Sequence, residues 1–270
     1  MVEAENALGI QSNQHPDGWG VAFYVDGAPP LTKSPTTALD DVLFKRISGV
    51  VASETVLAHV RQATQGKNSV LNCHPFQYGR WVGAHNGDIP NLEKCREALL
   101  AEVAPQLRRF VLGETDSELI FFQFLSRLAE YGPLGRHHDI RDILSALRKT
   151  ISRSAEISAD EERPPLLTFM VTDGNCLVAV QWGKPLFYST YKNRCADREV
   201  CPSLSPECEA PTRTGFVNHL IVSSEILQGE NIWHELEEGE VITVDHRMKV
   251  MRGKIDKVEL PTLDQFNEVI

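Results

Sequence analysis

The sequence predicts an α+β fold in which stacked sheets carry helices on their outer faces. Three observations lead there: strand-like and helical segments take turns along the 270 residues, two strand-rich halves flank a central helical region, and neither an internal repeat nor a coiled-coil heptad interrupts the pattern. With 42% hydrophobic residues, the chain has enough apolar material for one large domain or two small ones, and the expectation is a single domain over 1–270.

The first half offers three strands, GWGVAFYV (18–25), TVLAHVR (55–61) and RWVGAHNG (80–87), each ending in polar residues or glycine. A helix opens at TDSELIFFQFLSRL. There Thr115 and Glu118 fit a capping box in which hydroxyl and carboxylate each satisfy an end amide, and Leu119, Phe122 and Leu125 follow on one face. HDIRDILSALRKTI repeats Ile140, Ile143, Leu144 and Leu147 at helical spacing, and SRSAEISADEERPP after it reads as a solvated connection. Beyond it, LLTFMVTD, CLVAVQW, LFYSTY, HLIVSSE and GEVITVD carry the β-branched and aromatic residues of strands.

The formal net charge of −10 argues against nucleic acid or an anionic membrane surface as partner, because both need clustered Lys and Arg. No apolar run approaches the roughly 18 residues of a membrane span, and MVEAENALGI lacks the marks of a signal peptide, so the expected location is cytoplasmic. Six cysteines then read as thiols rather than a disulfide framework. Cys195, Cys201 and Cys208 could hold zinc with His219, but their spacing misses the short C-x-x-C pattern. The expectation is no metal and no cofactor.

Three short segments carry the candidate chemistry. Arg61, at the end of LAHVR, is either a strand-end surface arginine or a planar fork that clamps a carboxylate. Asn86 and Gly87 are either a tight Asn-Gly turn or a side-chain amide and a backbone N–H aimed at one oxyanion. Asp116 is either a first-turn carboxylate favoured by the helix dipole or the receptor of an ammonium group.

Taken in order, HPDGWG, AHVRQAT, HPF, AHNGDIPN and GETDSE resemble the class II glutamine amidotransferase domain of the N-terminal-nucleophile hydrolases. They are most similar to its stand-alone bacterial members, including those that hydrolyse a γ-glutamyl bond in ergothioneine biosynthesis. The resemblance implies a four-layer αββα sandwich of two mainly antiparallel sheets with the active site between them, acting on glutamine or a γ-glutamyl small molecule. It implies that Arg61 holds the α-carboxylate, Asp116 the α-ammonium, and Asn86 with Gly87 the oxyanion. Asp17, Gly18, Trp19 and Gly20 would line the pocket, and His85 would be a structural neighbour within the site.

One departure stands out. The family's nucleophile is a cysteine exposed by removal of Met, whereas Val2 follows Met1 here. The expectation is an N-terminally truncated chain, inactive as written, that lacks a strand central to the family and so leaves neighbouring backbone groups unpaired. A nucleophile-less binding or regulatory protein for glutamine-like ligands is the alternative. Cys73 is not a replacement: it is adjacent to His74, and neighbours on an extended segment point to opposite faces.

Overall fold

The computed structural model describes residues 6–160 and 162–255. The elements follow in the order α1 (Leu8–Gln11), β1 (Trp19–Phe23), β2 (Leu31–Ser34), α2 (Val42–Val50), β3 (Val56–Val60), β4 (Phe76–Tyr78) and β5 (Trp81–Asp88). Next come four helices, α3 (Leu92–Ala101), α4 (Pro105–Arg108), α5 (Asp116–Leu128) and α6 (Ile140–Ile157). The chain then returns to strands: β6 (Leu166–Thr172), β7 (Leu177–Val180), β8 (Phe187–Ser189), β9 (Ile221–Ser223), β10 (His234–Glu235), β11 (Glu240–Val244) and β12 (Val250–Lys254).

One six-stranded sheet in the order β12-β11-β7-β6-β5-β4 forms the inner platform, and every strand pair in it is antiparallel. Alternation assigns its faces. Trp81, Phe169, Val171, Val178 and Val241 turn toward the helices and pack with Leu119, Phe121, Phe124, Leu144 and Leu147. Val82, Ala179 and Ile242 turn the other way, toward Ala22 and Leu57 or toward Leu186 and Tyr188. The second β layer is therefore split between two three-stranded sheets, β2-β1-β3 and β10-β8-β9. Outside the first of these, α2 seats Phe44 edge-on against Trp19, with ring centroids 5.1 Å apart. The result is the expected αββα order of layers.

Two details differ from the sequence reading. Thr115 caps α5 as expected, accepting from the Glu118 amide at 3.2 Å, but the Glu118 carboxylate does not close the box on Thr115. It accepts instead from the amides of Leu112 and Gly113, because the chain before the helix folds back over its first turn. Helix α6 also runs through Ile157, into the segment read as a solvated connection. Ser154 is buried there and donates to Gln123 Oε1 of α5 at 3.0 Å, so a residue that looks solvent-facing is part of the helix–helix contact.

Among the described residues, β3 pairs only with β1 and β9 only with β8, so each three-stranded sheet ends in an open edge. Asn6 sits beside one of them: it donates to the Ile226 carbonyl at 2.7 Å and accepts from the Gln228 amide at 2.8 Å.

Candidate active site

A cavity of about 660 Å³ opens between the β layers, with β3 on one wall, residues 221–225 following and including β9 on another, and β5 and the start of α5 behind. Arg61, Asn86, Gly87 and Asp116 all line it.

Arg61 is delivered by the apolar run of β3 and then fixed by the HPDGWG segment. Its amide donates to the Gly18 carbonyl at 2.7 Å, and its carbonyl accepts from the Asp17 amide at 3.0 Å. The Asp17 carboxylate accepts from the Ala63 amide at 2.9 Å, tying down the loop that follows. The guanidinium is buried, donates through Nη2 to the Gln65 carbonyl at 2.6 Å, and keeps Nη1 buried with no partner among the described residues. A covered cationic donor facing a cavity is suited to a bidentate anion.

Gly18 and Trp19 serve this arrangement from behind the wall. Trp19 is buried against Phe44 on the α2 side of β1, and its Nε1 donates to Asp41 Oδ2 at 3.0 Å, so the indole faces away from the cavity. Gly18 has φ +135°, and a Cβ there would overlap the Cys73 sulfur. The expectation that these residues line the pocket is corrected accordingly: their register holds Arg61, and the alternation of β1 sends Trp19 to the outer layer.

Asn86 and Gly87 are in a strand, not a turn. They pair with Thr168 and Leu167 of β6, and the hairpin turn of this strand comes earlier, between Tyr78 and Trp81. Leu167 sends its own amide to the Trp182 carbonyl, away from β5. Because hydrogen-bonding direction alternates along an antiparallel strand, even-numbered residues of β5 bond β6 and odd-numbered ones face the opposite edge. β4 covers that edge only as far as Gly83, which leaves the Gly87 amide beyond it. Two residues on, the Ile89 amide on the same edge donates to Asp116 Oδ2 at 2.8 Å. The Asn86 carboxamide points to the other face, into the cavity, with no hydrogen-bond partner among the described residues.

His85 faces α5 instead. Its Nε2 lies 2.8 Å from the Leu166 carbonyl, which can only accept, so Nε2 is the donor there; in the neutral ring Nδ1, 2.9 Å away, accepts from the Ser117 hydroxyl. With both nitrogens engaged, His85 holds Ser117 and the start of α5 in register with β5. Asp116 follows the Thr115 cap, and its Oδ1 accepts from the Ser117 amide at 2.8 Å while Oδ2 takes Ile89. Lone pairs remain on both oxygens, so this fixed carboxylate can accept from a cation in the cavity.

The structure also brings in residues that the motifs did not mark. Gln65 accepts from Arg61 through its carbonyl and donates to Asp88 Oδ1 at 3.0 Å, joining the loop after β3 to β5. His59 and His74 line the cavity beside Arg61. His59 is two residues before Arg61 on the same strand, and that i, i+2 spacing was the available signal.

Cys73 is buried with its sulfur toward the Ser34 and Ser69 carbonyls, and burial pushes its thiol up, while the adjacent His74 ring faces the cavity. Cys195 and Cys208 are buried, and Cys208 accepts from the Asn218 amide at 3.0 Å. Among the described residues no cluster of three or more His, Cys, Asp or Glu is placed to hold a metal ion, so these thiols and His219 are not assembled into one. Nor is any described helix long and apolar enough to cross a membrane.

The layered fold thus gathers a buried arginine, an aspartate in the first turn of a helix and an Asn-Gly pair around one cavity. Residues 5–262 match the family of class-II glutamine amidotransferases, and the chain belongs to that family. It is 34% identical over 184 residues to the probable glutamine amidotransferase DUG3 of Saccharomyces cerevisiae, covering 62% of this chain and 51% of the relative. It is 39% identical over 109 residues to the gamma-glutamyl-hercynylcysteine sulfoxide hydrolase of Mycobacterium tuberculosis, covering 37% of this chain and 47% of that one. The chain thus spans about half the length of these curated relatives. In fold it is similar to a glutamine aminotransferase class-II domain protein from Silicibacter pomeroyi, with a TM-score of 0.65, 23% identity, and coverage of 88% and 91%.

Proposed function

We propose that this chain forms the substrate-binding framework of an enzyme that hydrolyses the γ-amide of glutamine or of a γ-glutamyl compound, with the nucleophile not among the described residues. The observation that carries the reading is the convergence of Arg61 Nη1, the Asp116 carboxylate, the Asn86 carboxamide and the Gly87 edge on one cavity. Arg61 takes the α-carboxylate and Asp116 the α-ammonium, which fixes the γ-carbonyl against Asn86 Nδ2 and the Gly87 amide. Each such donor is typically worth about 3–4 kcal/mol to the tetrahedral intermediate.

A thiolate attacking that carbonyl forms a C–S bond, the C–N bond breaks as the amine leaves with a proton, and water then cleaves the thioester to free glutamate. No cysteine among the described residues lines the cavity. The open edges of β3 and β9, with Asn6 hydrogen-bonded beside the second, support a nucleophile carried on a strand seated between them. The test compares glutaminase and γ-glutamyl hydrolase activity of this chain with a form extended upstream in its own reading frame to a Met-Cys start. Activity confined to the extended form is the expected result. Two inert proteins that both bind glutamine would instead identify a ligand-binding protein.

A further inference from the structure

The floor of the cavity holds two histidines that the proposed chemistry leaves unused. His59 and His74 lie against each other with ring centroids 4.3 Å apart and planes tilted by 46°, and His74 rests edge-on against Phe76 at 4.8 Å. His74 is buried; both of its ring nitrogens and Nδ1 of His59 are covered and unpartnered among the described residues. Burial and nearby positive groups hold both rings well below the usual histidine range, His59 at about 3, with His15, His85 and Arg61 acting on His59, and His59, His85, Lys33 and Arg61 on His74. Each ring therefore stays neutral, offering one N–H and one lone pair.

Such a pair suits an uncharged group that donates and accepts at once. An ammonium is repelled by Arg61 and Lys33, and a carboxylate has no N–H for the imidazole lone pair. A carboxamide has both parts. Position agrees with chemistry: Arg61 follows β3 directly and is two residues beyond His59, so their backbone positions are about 7 Å apart, comparable with the reach of a glutamyl side chain from its α-carboxylate to its γ-amide.

The geometry points to His59 and His74 as a neutral amide-recognition subsite that sets the preference of this cavity for a γ-amide over a γ-carboxylate. The inference rests on the proposed glutamine site and adds the residues that distinguish glutamine from glutamate.

The test is calorimetric titration of the full chain with L-glutamine and with L-glutamate, for wild type, His59→Phe, His74→Phe and His59→Asn. Each Phe variant keeps an aromatic ring against its neighbour but removes the polar atoms. The expected result is a fall of about fivefold or more in the glutamine-to-glutamate affinity ratio for each, the size of one lost hydrogen bond. His59→Asn, which restores a neutral donor and acceptor, should keep most of the preference. An unchanged ratio in a folded Phe variant that still binds glutamate overturns the inference and leaves the glutamine site standing. If His74→Phe does not fold, His59→Phe decides alone. If wild type binds neither amino acid, both readings fail.

Discussion

Replacing Gly87 with alanine should damage the fold before it can affect any chemistry. A Cβ at this position would come closer than 3.0 Å to the Leu166 carbonyl oxygen and to His85 Nε2, the two atoms already joined by a 2.8 Å hydrogen bond. Leu166 is backbone of the paired β6 strand, and His85 is locked at its other nitrogen by Ser117, so neither is a flexible chain end that can swing aside. Overpacking of this kind costs about 1–3 kcal/mol, and unmaking the buried His85 bond adds about 1–3 kcal/mol, for a total of roughly 2–6 kcal/mol. For a chain of this size that corresponds to a fall in Tm of roughly 5–15 °C. Thermal unfolding followed by circular dichroism, with urea titration to show a lower midpoint at constant slope, measures it. The matched control is Gly49→Ala, on the exposed side of α2 with nothing within 4 Å of the added methyl, which should be neutral or stabilising by about 0.5–1 kcal/mol. A Gly87→Ala protein that melts within two degrees of wild type would refute the packing argument and leave Gly87 to be explained by catalysis alone.

Other expected outcomes are as follows. Arg61→Met should abolish measurable glutamine binding in titration calorimetry while leaving the melting temperature near wild type, because the lost group is the unmatched Nη1 as much as the Gln65 bond. Unchanged binding would remove Arg61 from the site. Thr115→Ala should lower stability by about 1 kcal/mol through loss of the α5 cap, read by urea denaturation against Thr64→Ala, which caps nothing. Stability should also fall as pH drops below about 6.5, since the unfolded chain then binds protons that folded His59, with its value near 3, refuses. The loss from this residue is about 2 kcal/mol by pH 5, and His59→Phe should flatten the profile over that window. A wild-type profile flat from pH 7 to 5 would contradict neutral burial of the pair.

Much of the fold was legible because its signals are local. The strands at 18–25, 55–61 and 80–87 are apolar runs that end in polar residues or glycine, and the α5 cap is a hydroxyl three residues before a glutamate. Helices α2 and α3 were not read, since each is short and buries only one or two side chains. The end of α6 was missed for the opposite reason: Ser154 is polar, and only its partner Gln123 on α5 explains its burial. Asn86 and Gly87 show the limit of local reading most clearly, because Asn-Gly favours a turn in isolation, whereas pairing with Thr168 and Leu167, some 80 residues on, makes it strand.

By itself the sequence determined the class of layered fold, the family motifs, and the residue types that could meet a carboxylate, an ammonium and an oxyanion. Only the tertiary structure decided how they are used: that Trp19 supports the outer layer instead of the cavity, that Arg61 keeps one buried donor unmatched, and that His59 and His74 meet on the cavity floor. The division has a physical cause. Propensity, capping and strand alternation act over a few residues, while burial, desolvation and the pairing of polar groups depend on what distant segments bring to the same place.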